Sequence, residues 1–111
     1  MTSTAHHPAP HSAEPMELLR GMLEEEFAAQ TARLTQLTVY ARLPRHGGHD
    51  PHTLEMLAAS ARRRIAETAH ALRRMSEGSY GVCADCRRPI PLGRLRALPC
   101  ATRCGVCERS R

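Results

Sequence analysis

Four of the five cysteines fall in two C-x-x-C pairs, Cys83 with Cys86 and Cys104 with Cys107, separated by seventeen residues. A two-residue gap lets both sulfurs of a pair reach one ion, and two such pairs complete a tetrahedral thiolate shell. The spacing predicts one structural Zn²⁺ held by Cys83, Cys86, Cys104 and Cys107, with no coordination position left for a catalytic water. The competing chemistry is dithiol–disulfide exchange. Thioredoxin-type C-x-x-C motifs, however, sit in a βαβ pattern that this chain lacks. Cys100 reads as a spare, partly buried thiol, and its spacing to Cys104 leaves it open as a substitute ligand. Arg87, Arg88 and Arg103 stand close to ligands in the sequence. They either offset the net negative charge of a four-thiolate site or simply sit on the surface.

Other chemistry-bearing groups are sparse. No nucleophile and base are paired in the pattern, and the zinc shell is closed, so an enzyme is not expected. His46, His49 and His52 recur at three-residue intervals, and His6, His7 and His11 cluster near the start. Loop histidines are ordinarily solvated; the sharper alternative is a metal or redox sensor.

The 111 residues have room for one domain with an appended arm. One Phe, two Tyr and no Trp exclude a thick aromatic core, and small folds short of core usually need a metal or disulfides. No apolar run of about 18 residues is present, so no membrane span is expected. The N-terminus does not read as a signal peptide. Five cysteines without export are thiols and metal ligands rather than a disulfide framework, and the expected location is cytoplasmic. All sixteen basic residues are Arg, Lys and Asn are absent, and Ile occurs twice; this bias suggests a GC-rich bacterial genome. The formal charge of +5 falls by two when four thiolates take up one Zn²⁺. Such a charge permits nucleic-acid contact without demanding it.

The elements that must carry the cysteines are helical. Residues 1–13, with two Pro and three His, show no apolar periodicity and are expected to be a disordered arm. A helix starts near Glu14 and Pro15. Its seam runs through Met16, Leu23, Phe27, Gln30, Leu34, Leu37 and Ala41, interrupted by Arg20, at the four-and-three spacing of a coiled coil. Leu18, Leu19 and Met22 widen the apolar face. Pro44 ends this helix at about Leu43, and Gly47 with Gly48 allows a reversal. Asp50-Pro51 reads as an N-cap followed by a first-turn Pro. The second helix carries Leu54, Ala58, Ala61, Ile65, Thr68, Leu72 and Met75 in the same spacing and stops at Gly78. The runs Glu24–Glu26 and Arg62–Arg64 read as solvated faces with loose pairing. The expected fold is mainly α. An antiparallel helical hairpin over 14–78, about 40 Å long with its tip near 44–50, precedes a small four-cysteine zinc module over 79–111.

The run Gly78-x-Tyr80-Gly81-x-Cys83-x-x-Cys86, Ile90, Arg94-Leu95-x-Ala97-x-Pro99 and Cys104-x-x-Cys107 resembles the DksA/TraR C4-type zinc finger family. The hairpin placed before it is the layout of the longer, DksA-like members. The resemblance implies a transcription regulator that binds RNA polymerase, core or holoenzyme, without sequence-specific DNA contact. It also implies a hairpin that enters the secondary channel, with an acidic Asp-x-x-Asp-x-Ala tip motif near the catalytic centre. Here the nearest match places Asp50, Thr53 and Glu55 at those three positions, so only Asp50 fits. The hairpin is shorter than in the long members, Arg87 stands where the family usually has Gly, and only four residues follow Cys107. Asp50 is equally well an ordinary N-cap. The alternative function is a zinc-finger nucleic-acid binder, weakened by the lack of aromatic stacking residues and the low net charge.

Overall fold

In the computed structural model, which describes residues 11–110, the chain is built from helices, with no strand beyond one isolated antiparallel bridge between Val82 and Pro89. Helix α1 spans Ala13–Arg42 and α2 spans Pro51–Glu77. Two short helices follow, α3 over Leu92–Ala97 and α4 over Gly105–Arg109. Of the arm expected to be disordered over 1–13, residues 1–10 lie outside the described residues, whereas Ala13 already belongs to α1. Ser12 is the N-cap of α1, and His11 Nε2 lies 2.9 Å from the Ile90 carbonyl oxygen. The end of the arm therefore touches the C-terminal module.

The hairpin ends follow local rules. Leu43, preceding Pro44, leaves the helix in an extended conformation and caps α1. Asp50 caps α2, its Oδ2 accepting from the Thr53 N–H at 3.1 Å, and Pro51 opens the first turn. Gly78 adopts the left-handed conformation, φ 80°, and its N–H reaches back to Arg74 and Met75. At the tip, a 3₁₀ turn over His46–Gly48 reverses the chain. A Cβ on Gly47 would lie 2.5 Å from the Tyr40 ring, so glycine is required there.

Along α2 the buried positions Leu54, Ala61, Thr68 and Met75 recur every seven residues, as the spacing predicts. Helix α1 buries Leu23 and Leu37 as the spacing predicts and departs from expectation at Phe27 and Leu18. Leu19 and Leu23 are buried, but Phe27 is 36% exposed and Leu18 lies open to solvent. The cause is a third body. Leu19 and Leu23 share one core with Ala71, Met75, Tyr80, Cys83, Ile90 and Leu95, so the C-terminal module covers the start of α1 together with α2. That rotates the buried face of α1 from Arg20 and Phe27 towards Leu19 and Glu26.

Glu26 then lies between the helices. Arg64 of α2 donates to its Oε2 through Nη2 at 2.9 Å and Nε at 3.1 Å, and Gln30 donates to the same oxygen at 3.4 Å. The acidic and basic runs thus meet in a specific interhelical ion pair, tighter than the loose pairing read from the sequence. Beyond it, the distal hairpin buries Leu37, Leu54 and Ala61, with Leu34 half-buried.

Candidate metal centre

The first knuckle is a tight hairpin closed by backbone bonds. The Cys83 N–H donates to the Arg88 carbonyl at 2.8 Å, the Arg87 N–H to the Cys83 carbonyl at 3.0 Å, and the Ile90 N–H to the Gly81 carbonyl at 2.7 Å. The turn requires a left-handed residue, and Arg87 supplies it at φ 66°. For a side chain with a Cβ this costs about 1 kcal/mol. The second knuckle opens α4, where Cys104 is the N-cap and its sulfur accepts from the Cys107 N–H at 3.5 Å. The Ala84 N–H donates to the Thr102 carbonyl at 2.8 Å, tying the knuckles side by side.

The sulfurs of Cys83, Cys86, Cys104 and Cys107 all lie within 4.8 Å of one another. Cys86 and Cys104 are 3.9 Å apart. Tetrahedral zinc with Zn–S near 2.3 Å needs sulfurs about 3.8 Å apart, so the cluster has the right size and the right donors. Its electrostatics point the same way. The backbone N–H of Cys86, helped by those of Cys104 and Asp85, lowers the Cys83 thiol to about 6. The Cys107 N–H lowers Cys104. Cys107 is pushed up to about 12 by the neighbouring sulfurs, Cys104 first. Four sulfurs at this spacing resist sharing four negative charges unless a cation sits among them. Two knuckles supply N–H donors to thiolates, and a divalent ion supplies the missing positive charge.

Cys100 stays outside the cluster. Its sulfur lies 3.9 Å from Thr68 Oγ1, and burial pushes its thiol up. Such a thiol is a poor ligand and a poor nucleophile. Of the three arginines near the ligands, Arg103 donates to Asp85 Oδ2 at 3.0 Å and lies 3.7 Å from Glu108, bracing the two knuckles. Arg87 and Arg88 are exposed.

One anchoring residue, Arg74, carried no distinctive sequence signal, whereas Arg94 and Tyr80 belong to the motif read from sequence. Arg74, near the end of α2, donates to the carbonyls of Val82 at 2.9 Å and Ser79 at 3.2 Å, stapling the first knuckle to the hairpin. Arg94 Nε donates to the Arg103 carbonyl at 2.9 Å. Tyr80, part of the motif read from sequence, is buried and donates its hydroxyl to the Pro99 carbonyl at 2.8 Å. Burial raises its hydroxyl to about 12.

At the tip, Asp50 and Thr53 are brought together only through the N-cap bond, and all of Asp50, Thr53 and Glu55 are exposed. The three tip histidines are not gathered into a metal cluster among the described residues. The His49 ring packs on Tyr40 at 5.3 Å between centroids, and His46 Nδ1 is buried without a hydrogen-bond partner. No helix among the described residues is long and apolar enough to cross a membrane.

A helical hairpin with a four-cysteine knuckle pair docked at its base defines the structural class. Residues 78–111 match the prokaryotic dksA/traR C4-type zinc finger family, which identifies the C-terminal module as that finger. Over 41 residues the chain is 49% identical to the RNA polymerase-binding transcription factor DksA of Caulobacter vibrioides, in strains NA1000 / CB15N and ATCC 19089 / CIP 103742 / CB 15 alike. That alignment covers 37% of this chain and spans 29% of the length of those relatives. The whole fold is similar to the structure of transcription factor DksA2 from Pseudomonas aeruginosa, with a TM-score of 0.75 over 96% of this chain and 90% of that one. At 22% sequence identity this likeness concerns the fold.

Proposed function

We propose that this chain is a cytoplasmic, non-enzymatic transcription regulator that binds RNA polymerase directly. In this reading the hairpin enters the secondary channel, and Zn²⁺ held by Cys83, Cys86, Cys104 and Cys107 plays a structural part. The observation that carries the reading is the union of a family-matching finger with a DksA2-like hairpin in one continuous core. Each half contributes to the core of the other, with Leu19, Leu23, Ala71 and Met75 packed against Tyr80, Cys83, Ile90 and Leu95. The finger has few apolar residues of its own, and the hairpin base is covered by the finger. Zinc therefore fixes the finger, and the finger fixes the angle at which the hairpin projects.

The tip acts differently from an acidic one. One oxygen of its single Asp, Asp50, is engaged in the helix cap, and His46, His49 and His52 surround it in the sequence. Polymerase binding is expected to survive Asp50→Asn, because Asn also caps helices, while any effect on transcription that depends on negative charge weakens. The test is retention of the full chain by immobilised core RNA polymerase, with photo-crosslinks placed between Arg45 and Thr53. Retention with crosslinks to polymerase subunits lining the channel supports the reading. No retention, or crosslinks only from the finger end, overturns it.

A further inference from the structure

The exposed charges of the two helices differ, and the polymerase reading does not use the difference. Helix α1 carries exposed Glu14, Glu17, Glu24 and Glu25 in its first half, with Arg33 and Arg42 exposed further on, whereas the outward side of α2 carries Arg62, Arg63 and Arg73. Eleven residues is about three helical turns, so Arg62 and Arg73 stand on one line roughly 16 Å apart. Ala66, Ala69 and His70 lie between them on that side. A neighbouring strip of α2, Arg63, His70 and Arg74 at seven- and four-residue steps, leads onto the finger, where His70, Arg74 and Arg87 border one groove of about 250 Å³ beside the first knuckle. Among the described residues, no carboxylate lies within ion-pair distance of Arg62, Arg63, Arg73 or Arg87, while Arg64 and Arg103 are fully engaged with acids. Glu55 and Glu77 bound the stretch at either end, and Glu67 is held by Arg64.

We infer that this face, from Arg62 to Arg73 with Arg87, binds the phosphate backbone of duplex nucleic acid without reading its sequence. A protein interface of useful strength needs aromatic or large aliphatic anchors, and enriches them at its centre. This face has alanines there. Single strands are held by stacking on aromatic rings, yet Tyr80 is buried and Phe27 and Tyr40 belong to α1. What remains is a row of unneutralised guanidinium groups separated by side chains small enough for a backbone to approach. Its length matches about five base pairs of one strand at 3.4 Å per step. Because α2 is packed against α1, it presents one side only and rests on the backbone rather than entering a groove to read bases.

The test uses the full, zinc-loaded chain and fluorescence anisotropy with two fluorescein-labelled duplexes of unrelated sequence, between about 50 and 200 mM salt. Both duplexes should bind with affinities within about twofold, and log K should fall against log salt with a slope near −4, as four phosphate contacts require. Combining Arg62→Ala, Arg63→Ala and Arg73→Ala should weaken binding more than tenfold at low salt and bring the slope to about −1. Arg20→Ala with Arg33→Ala on α1 should change neither. Unchanged zinc content and helical circular dichroism would show that the variants remain folded. The inference is overturned if no duplex binds at low salt, if the α2 triple variant binds as the parent does, or if the α1 variant is weakened equally. It is also overturned if polyglutamate competes as well, charge for charge, as the duplex. Loss of polymerase retention with intact duplex binding in the triple variant would assign the face to polymerase instead, and would equally overturn it.

Discussion

The two ends of the hairpin hold together by different means. At the base, α1, α2 and the finger share one core in which Leu19, Leu23, Tyr80, Cys83, Ile90 and Leu95 are nearly inaccessible to solvent. At the distal end the same two helices are joined by Leu37, Leu54 and Ala61, a Gly-dependent turn against Tyr40, and an N-cap at Asp50. The base is a three-body core closed by four sulfurs; the tip is a two-body contact closed by local backbone chemistry. Under the proposed function this division has a use, since a thick core at the tip would keep a hairpin from entering a narrow channel.

The largest expected effect that sharpens this contrast comes from the sulfurs. Cys83→Ser should abolish stoichiometric zinc binding and unfold residues 79–110, because folding and metal binding are coupled in small closed sites. Cys100→Ser should leave zinc content intact. Metal analysis with hydrogen exchange separates the two, and exchange protection around Leu37 and Leu54 should outlast that around Ile90 in Cys83→Ser.

Next come the apolar substitutions. Leu95→Ala at the base should cost about 3 kcal/mol, in the range for fully buried leucines. Phe27→Ala, at a partly exposed site on α1, should cost less than about 1 kcal/mol. Denaturant titration of both variants checks the order, and an equal cost would mean that the finger does not rotate the buried face of α1.

That face is also where the sequence was least legible. The helix ends at Leu43, Asp50 and Gly78 follow from Pro, Asx-capping and Gly rules that act over a few residues. The cysteine cluster follows from the C-x-x-C spacing. The seam of α2 was readable because one repeat of seven runs its whole length. The α1 seam was readable at Leu23 and Leu37, which are buried, but not at its start, because which of Leu19 or Phe27 is buried depends on a finger fifty residues or more away in sequence. Arg74 and Glu26 likewise acquire their partners only through tertiary contact. The arm expected to be disordered over 1–13 is ordered at His11, Ser12 and Ala13, through contacts with Ile90 and the start of α1 that a local reading does not contain.

A pH titration should expose Tyr80. Its hydroxyl is raised from 10.0 to about 12 in the folded state, so the unfolded chain ionises first. The stability contributed by the protonated, hydrogen-bonded hydroxyl is full below pH 10 and is lost as pH rises through about 12. Tyr80→Phe should cost about 1 kcal/mol at neutral pH, through the hydrogen bond to Pro99, and should flatten this alkaline loss.

The smallest effects belong to exposed groups. Arg87→Gly relieves a left-handed residue and should stabilise the first knuckle by up to about 1 kcal/mol. Glu26→Gln should cost under about 1 kcal/mol, because solvent reaches both partners of the Glu26–Arg64 pair. Thermal denaturation of zinc-loaded protein resolves the opposite signs.

The most direct measurement is zinc K-edge X-ray absorption on the purified full chain, combined with metal content. One zinc per chain, bound by four sulfurs at about 2.3 Å, is the expected result. A substoichiometric metal with nitrogen or oxygen in its first shell would contradict it, as would Cys83, Cys86, Cys104 and Cys107 found as disulfides, and the finger could then not be the clamp that sets the hairpin.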